Sequence, residues 1–200
     1  MALRYNKTPT GIHHIMHIQS HYHEGFTLIE LMVTISIAAI LLGVAIPSFT
    51  STITSNRLTT NANELVTALN LARSEAIKRG QQVTIRRKGT TSAQWESGWD
   101  VFVDSDGSNA FNDNGTTPLC EAGEDCLLRT YDALPGGYTL RTGNSTYKDY
   151  AAFLPSGLSK VVVGDTFTLC NQSGTSVPRR TITINATGRP KVDVTPGACP

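Results

Sequence analysis

The sequence predicts an α+β protein in which one long N-terminal helix, apolar in its first half and amphipathic in its second, packs against an antiparallel sheet. Three observations carry that expectation. The 21 residues from Phe26 to Ile46 hold a single charge, Glu30, and at 1.5 Å per residue they make a helix about 31 Å long, the thickness of a bilayer's hydrocarbon core. Leu58, Ala62, Leu65, Leu69, Ala72 and Ala76 then recur at alternating four- and three-residue steps, which places them in one stripe of a helix. From Gln82 onward the pattern changes to short β-branched and aromatic runs separated by Gly, Pro, Asn and Asp. No helices alternate with these runs, which argues for antiparallel pairing.

The glutamate within the apolar run needs a reason. A cleaved secretory signal has an apolar core of only about 7–15 residues, too short to match. In a plain membrane anchor Glu30 would snorkel to the bilayer edge, since a carboxylate at mid-depth costs roughly 2.5–3.5 kcal/mol. A cut after Gly25 gives the carboxylate a use. It frees an amine at Phe26 one helical turn from Glu30, and the two charges can neutralise each other within one chain or between neighbouring chains.

The stretch "GFTLIELMVTISIAAILLGVAIPSF" resembles the class III signal of type IV pilins and type II secretion pseudopilins. Gly25 stands before the cut, Phe26 becomes the new N-terminus, Glu30 is fifth in the mature chain and Pro47 is twenty-second. The resemblance implies a prepilin peptidase that cleaves on the cytoplasmic side and methylates Phe26. It also implies an inner-membrane assembly platform and a Glu30 that pairs with a neighbouring subunit's N-terminus during filament assembly. The chain would cross the bacterial inner membrane once and carry its head in the periplasm. Residues 1–25 are then the cleaved leader, 26–46 the transmembrane helix, 47–80 the amphipathic helix continuing into the head, and 81–200 a β-rich head with a disulfide-tied tail.

The leader departs from the family pattern. "HHIMHIQSHYHEG" places histidines and Glu24 beside the cut and leaves Arg4 and Lys7 far upstream, whereas translation from Met16 gives a leader of ordinary length. All five histidines, His13, His14, His17, His21 and His23, lie in this segment. Although His13, His17 and His21 have the i,i+4 spacing of helical metal ligands, we read them as discarded on maturation and assign no metal.

About 150 residues follow the anchor, enough for one compact domain and too few for two. Removing residues 1–25 takes Arg4, Lys7 and Glu24 from the 17 basic and 16 acidic side chains, leaving 15 of each. A mature chain without net side-chain charge is no broad electrostatic binder of nucleic acid. Cys120, Cys126, Cys170 and Cys199 all fall in the head, where an oxidising compartment favours two disulfides. Four cysteines allow three connectivities. We expect Cys120 with Cys126, closing the loop "CEAGEDC", and Cys170 with Cys199, clasping a tail that has little apolar content after Ile184.

Pro47 is expected to kink rather than end the helix, because Phe49 and Ile53 continue its apolar pattern. Asn56, Thr60, Asn63, Thr67, Asn70 and Ser74 face away from the stripe, Glu75 and Arg79 form an i,i+4 pair, and Gly80 supplies the stop. Seven strand signals follow: "VTIRR", "WDVFVD", "LLRTYDAL", "YTLRTG", "YAAFLPSG", "TFTLCN" and "RTITINATG". The segment "LNLARSEAIKRGQQVTI" with "SGWDVFVDSDG" resembles the GspH/FimT family of minor pseudopilin H and minor pilins T and U. That resemblance implies a pilin-like ladle whose partners are the other pilins or pseudopilins of a filament.

Catalytic machinery is not expected. The mature chain has no histidine for a Ser-His-Asp or Cys-His mechanism, and neither a phosphate-binding loop nor a dinucleotide-binding turn; no cofactor is implied. Glu121, Glu124 and Asp125 read as solvent-facing charge. The loop "DSDGSNAFNDNG" offers oxygen ligands at Asp104, Asp106, Asn112 and Asp113, but an EF-hand counted from Asp104 would need glycine and glutamate where Asn109 and Gly115 stand. Solvated Asp-Gly and Asn-Gly turns explain it better.

The tail "VPRRTITINATGRPKVDVTPGACP" collects Arg179, Arg180, Arg189 and Lys191 against Asp193. Alternation turns Ile182 and Ile184 inward and Arg179, Thr181 and Thr183 outward, with Arg180 at the strand's exposed entrance and "GRPK" as a loop. Gly188, Arg189 and Lys191 resemble the basic G-R-x-R tail motif of DNA-uptake minor pilins. This resemblance implies double-stranded DNA as an alternative partner, although lysine loses the bidentate phosphate geometry of the second arginine.

Overall fold

The computed structural model describes residues 25–112, 120, 123–143, 147–161, 166–172, 177–197 and 199. The leader before Gly25, with its histidines and Met16, lies outside the described residues, as do Asp113, Gly115 and Glu121. The chain divides into two units, Met1–Gly43 and Val44–Pro200. One helix, α1 (Leu28–Arg79), belongs to both.

In the first unit α1 starts where Thr27 caps it. The Glu30 N–H donates to the Thr27 hydroxyl at 3.3 Å and the Leu31 N–H to the Thr27 carbonyl at 3.1 Å, meeting donors that a helix start otherwise leaves unpaired. The residues from Leu28 to Gly43 are exposed all round the helix. Among the described residues α1 is the one helix long and apolar enough to cross a membrane.

In the second unit Pro47 sits inside the helix, as its apolar neighbours predict. Leu58, Ala62, Leu65, Leu69, Ala72 and Ala76 are buried together with Ala68 and Asn61, while Asn56, Thr60, Asn63, Thr67, Asn70 and Ser74 are exposed. At the helix end Glu75 accepts from Arg79 at 2.6 Å and from Lys78 at 3.3 Å. Gly80 then turns the chain at φ 66° while its N–H still reaches the Ala76 carbonyl at 3.0 Å, a left-handed stop that glycine adopts without strain.

The head contains two antiparallel sheets instead of the single sheet expected. In chain order the strands are β1 (Val83–Arg87), β2 (Trp99–Val103), β3 (Cys126–Tyr131), β4 (Tyr138–Thr142), β5 (Tyr150–Phe153), β6 (Thr166–Asn171), β7 (Arg179–Ile184) and β8 (Pro190–Thr195). They form sheets of order β3-β2-β1-β5 and β4-β6-β7-β8. The split arises because β5 returns to the free side of β1, with Ile85 opposite Ala151, which leaves β4 to begin a second sheet with β6.

The segment before β2 joins the two sheets. The Trp95 N–H donates to the Leu140 carbonyl at 2.9 Å, and the Thr142 N–H to the Ala93 carbonyl at 3.2 Å. The Trp95 ring is buried, meets Phe167 edge-on at 4.9 Å and donates its Nε1–H to the Tyr147 carbonyl at 3.0 Å. Both sheets contribute to one core with the stripe of α1, through Ile85 and Val101 from one and Leu140, Leu169 and Ile182 from the other.

The tail differs from expectation as well. Of "GRPK", only Gly188 and Arg189 lie in the turn; Pro190 and Lys191 open β8, an additional strand paired along β7 from Ile184↔Pro190 to Arg179↔Thr195. The tail therefore docks by backbone pairing in addition to its cysteine. The disulfides are Cys120–Cys126, with Cα atoms 4.3 Å apart, and Cys170–Cys199, at 5.8 Å. On the loop-closure model these contribute about 2 and about 3–4 kcal/mol.

Two measurements test this framework. Leu69→Ala should destabilise the head by about 2–5 kcal/mol in denaturant unfolding, whereas Asn70→Ala on the opposite face should stay within about 0.5 kcal/mol. The Arg79 hydrogen bond, assisted by Lys78 and opposed by burial, holds the Glu75 carboxyl below its ordinary value of 4.5. Its contribution is therefore complete above the unfolded-state pKa and is lost as pH falls through the folded one. The stability difference between the parent chain and Glu75→Gln should shrink as pH drops below 4.5, and a difference that grows would contradict the pairing.

Candidate functional site

At the N-terminal end Gly25 and Phe26 are exposed and precede the capped start of α1. Glu30 is the third residue of the helix, and its N–H is the one held by the Thr27 cap. Thr27 and Glu30 have the T-x-x-E spacing of a capping box, a signal present in the sequence that our reading of Glu30 did not use. An acid in the first turn is favoured by the helix dipole. Around it Leu28, Ile29, Leu31, Met32 and Val33 are exposed, an apolar surface that water does not favour.

The four cations of the tail are not brought together as a patch. Arg180 is a correction: it is 6% exposed, on the same face of β7 as Ile182 and Ile184. Its guanidinium donates to Ser55 Oγ at 3.0 Å, Thr59 Oγ1 at 3.3 Å and the Pro178 carbonyl at 2.8 Å, tying β7 to α1. Arg179 is half-buried. Arg189 and Lys191 are exposed, and Lys191 pairs with Asp193 at 2.8 Å.

Gly188 has a structural reason to be glycine. It is buried at φ 75°, and a Cβ there would collide with the Gly157 carbonyl oxygen, which accepts from Arg73 Nε at 2.9 Å. Asn185 closes the turn by accepting from the Gly188 N–H at 2.8 Å on its carbonyl and from the Arg189 N–H at 2.8 Å on its side chain.

The acidic loop is anchored rather than solvated. Asp104 and Asp125 are 2% and 3% exposed, which corrects the solvent-facing reading of Asp125; Glu124 is half-buried. Asp125 accepts from the backbone N–H groups of Ser105 at 2.9 Å and Asn112 at 2.8 Å. Asn112 directs its amide Nδ2 to Asp106 Oδ2 at 3.1 Å, so it acts as a donor here rather than as an oxygen ligand. The Ser108 N–H, then its hydroxyl, holds the Asp106 carboxyl below the ordinary carboxylate value. Beside Arg180, an open groove of about 390 Å³ is lined by Ser51, Thr52, Ser55, Asn56, Val177 and Pro178, none of them ionisable.

The prokaryotic N-terminal methylation motif matches residues 21–46. With a helix that is bare and apolar in one unit and carries the core stripe of antiparallel sheets in the other, this marks the chain as a minor pilin or pseudopilin. The chain belongs to the GspH family, described as type II transport protein GspH, which matches residues 61–188. Members of this class work among the other pilins or pseudopilins of a filament.

Among solved structures, the type IV minor pilin FimU of Pseudomonas aeruginosa is 20% identical with a TM-score of 0.51, covering 70% of this chain and 90% of that one. The minor pseudopilin EpsH of the Vibrio cholerae type 2 secretion system is 13% identical with a TM-score of 0.47, covering 69% and 97%. No curated protein matches the chain.

The placement of the cations gives a test. Arg180→Ala should lower stability by about 1.5–3 kcal/mol, the range for hydrogen bonds to a charged group. Arg189→Ala should stay within about 0.5 kcal/mol. Thermal unfolding of the two variants checks the contrast, and equal effects would refute the clamp.

Proposed function

We propose that the chain is matured by prepilin peptidase between Gly25 and Phe26, that Phe26 becomes the methylated N-terminus, and that Glu30 pairs with a neighbouring subunit's terminal amine as α1 leaves the inner membrane for the filament. The supporting observation is Glu30 itself, the sole ionisable residue between Phe26 and Ile46, fixed in the first turn by the Thr27 cap. In an apolar surrounding a carboxylate needs a cationic partner, and the amine created at Phe26 is one turn away. Residues 1–25 then serve as leader, 26–46 as the membrane span, 47–80 as the helix entering the head and 81–200 as a periplasmic head. The assembly platform acts on the span. We read the head as non-catalytic, its contribution lying in contacts with other subunits.

The duplex-DNA alternative gains no specific observation. Of its four cations, Arg180 is committed to α1 and Lys191 to Asp193.

Mass spectrometry of the membrane-extracted protein should find a methylated Phe26 at the N-terminus; residues 1–24 on most molecules would sink the proposal. Glu30→Ala should insert into the membrane normally yet enter filaments at least about tenfold less, because an unpaired charge in a dry interface costs about 3–5 kcal/mol. Filament incorporation at the parent level would refute the pairing.

A further inference from the structure

Beyond assembly, we propose that Asp104, Asp106 and Asp125 form a calcium site that fastens the loop after β2 to the residues leading into β3. One carboxylate oxygen from each lies within 4.8 Å of the other two. Oxygens sharing a calcium ion at about 2.3–2.6 Å can stand up to about 5 Å apart, so one ion can reach all three. Two of the three carboxylates are buried, and among the described residues no lysine or arginine forms an ion pair with any of them. Burying like charges together without a cation is unfavourable.

The independent observation is Asp104 Oδ1. Its partner oxygen Oδ2 is engaged by Gln82 Nε2 at 2.6 Å, Thr84 Oγ1 at 2.8 Å and the Asn109 N–H at 3.0 Å. Oδ1 is buried and receives no hydrogen bond from the described residues. A buried carboxylate oxygen without a donor is unusual, and it leaves Asp104 with one oxygen uncommitted. The remaining carboxylates are oriented by the loop itself: Asp125 by the Ser105 and Asn112 N–H groups, and Asp106 by the Ser108 N–H at 2.9 Å. Hydrogen bonds that aim ligating carboxylates are typical of metal sites. Hard oxygen donors without nitrogen or sulfur favour an alkaline-earth ion over zinc.

The test uses the full chain in detergent micelles, stripped with a chelator, with calcium chloride and magnesium chloride as probes. Calorimetry should show one calcium bound per chain with Kd about 10⁻⁴–10⁻³ M, the range of extracellular modules, and calcium should raise the unfolding temperature. Asp106→Asn, an exposed position where the fold is not at risk, should weaken binding at least about tenfold, and Asp125→Asn should abolish it. Should Asp125→Asn fail to fold, Asp106→Asn decides alone, checked by an unchanged circular dichroism spectrum. The proposal is overturned if the parent chain shows neither heat nor a thermal shift at about 10 mM calcium, well above that Kd range. It is equally overturned if Asp106→Asn binds as the parent does, or if magnesium produces the same shift.

Discussion

The head depends on covering one stripe of α1. A helix of this length with threonine and asparagine on its outer face has little stability of its own in water, and most helical stability in proteins comes from burying an apolar face. Three leucines in the stripe each contribute about 1.5–3 kcal/mol when fully buried. The alanines between them contribute less by area, but their small size lets strands approach the helix closely. Both sheets close over the same stripe, so neither has an independent core. Trp95 ties the sheets to each other, and polar contacts fix their position along the helix: Arg180 reaches Ser55 and Thr59, and Arg73 reaches Gly157.

The same helix is thus written for two surroundings. In the first unit its side chains from Leu28 to Gly43 are mostly apolar and all exposed; in the second the stripe from Leu58 to Ala76 is buried. The change of pattern coincides with the two matches, the N-terminal methylation motif over the apolar half and the GspH family from the buried stripe onward. The cap at Thr27 fixes where the first pattern begins, and Gly80 ends the second.

Local periodicities were legible in the sequence. The stripe from Leu58 to Ala76 and the outward row from Asn56 to Ser74 follow from helical spacing, and "VTIRR" and "TFTLCN" coincide with β1 and β6. Properties set by distant partners were not. Two sheets arise from β5 choosing β1, and the meeting of Asp125 with Asp104 is a tertiary event that no spacing announces. Residue 180 is a different case. The alternation that turns Ile182 and Ile184 inward carries Arg180 with them, but its charge argues for water; the hydroxyls of Ser55 and Thr59, over a hundred residues earlier, make burial tolerable. In β8, valine alternates with Lys191 and Asp193, a period-two signal obscured by Pro190 and the neighbouring turn.

Among the described residues strand β8 pairs on one side only, and the open side of any sheet is an invitation to further strands. Pro190 has no N–H to offer a newcomer, and the Lys191–Asp193 pair lines the strand with charge. The tail's sequence therefore carries a feature that requires no ligand at all: a proline at the start of its outermost strand, where an added strand would find one backbone donor missing.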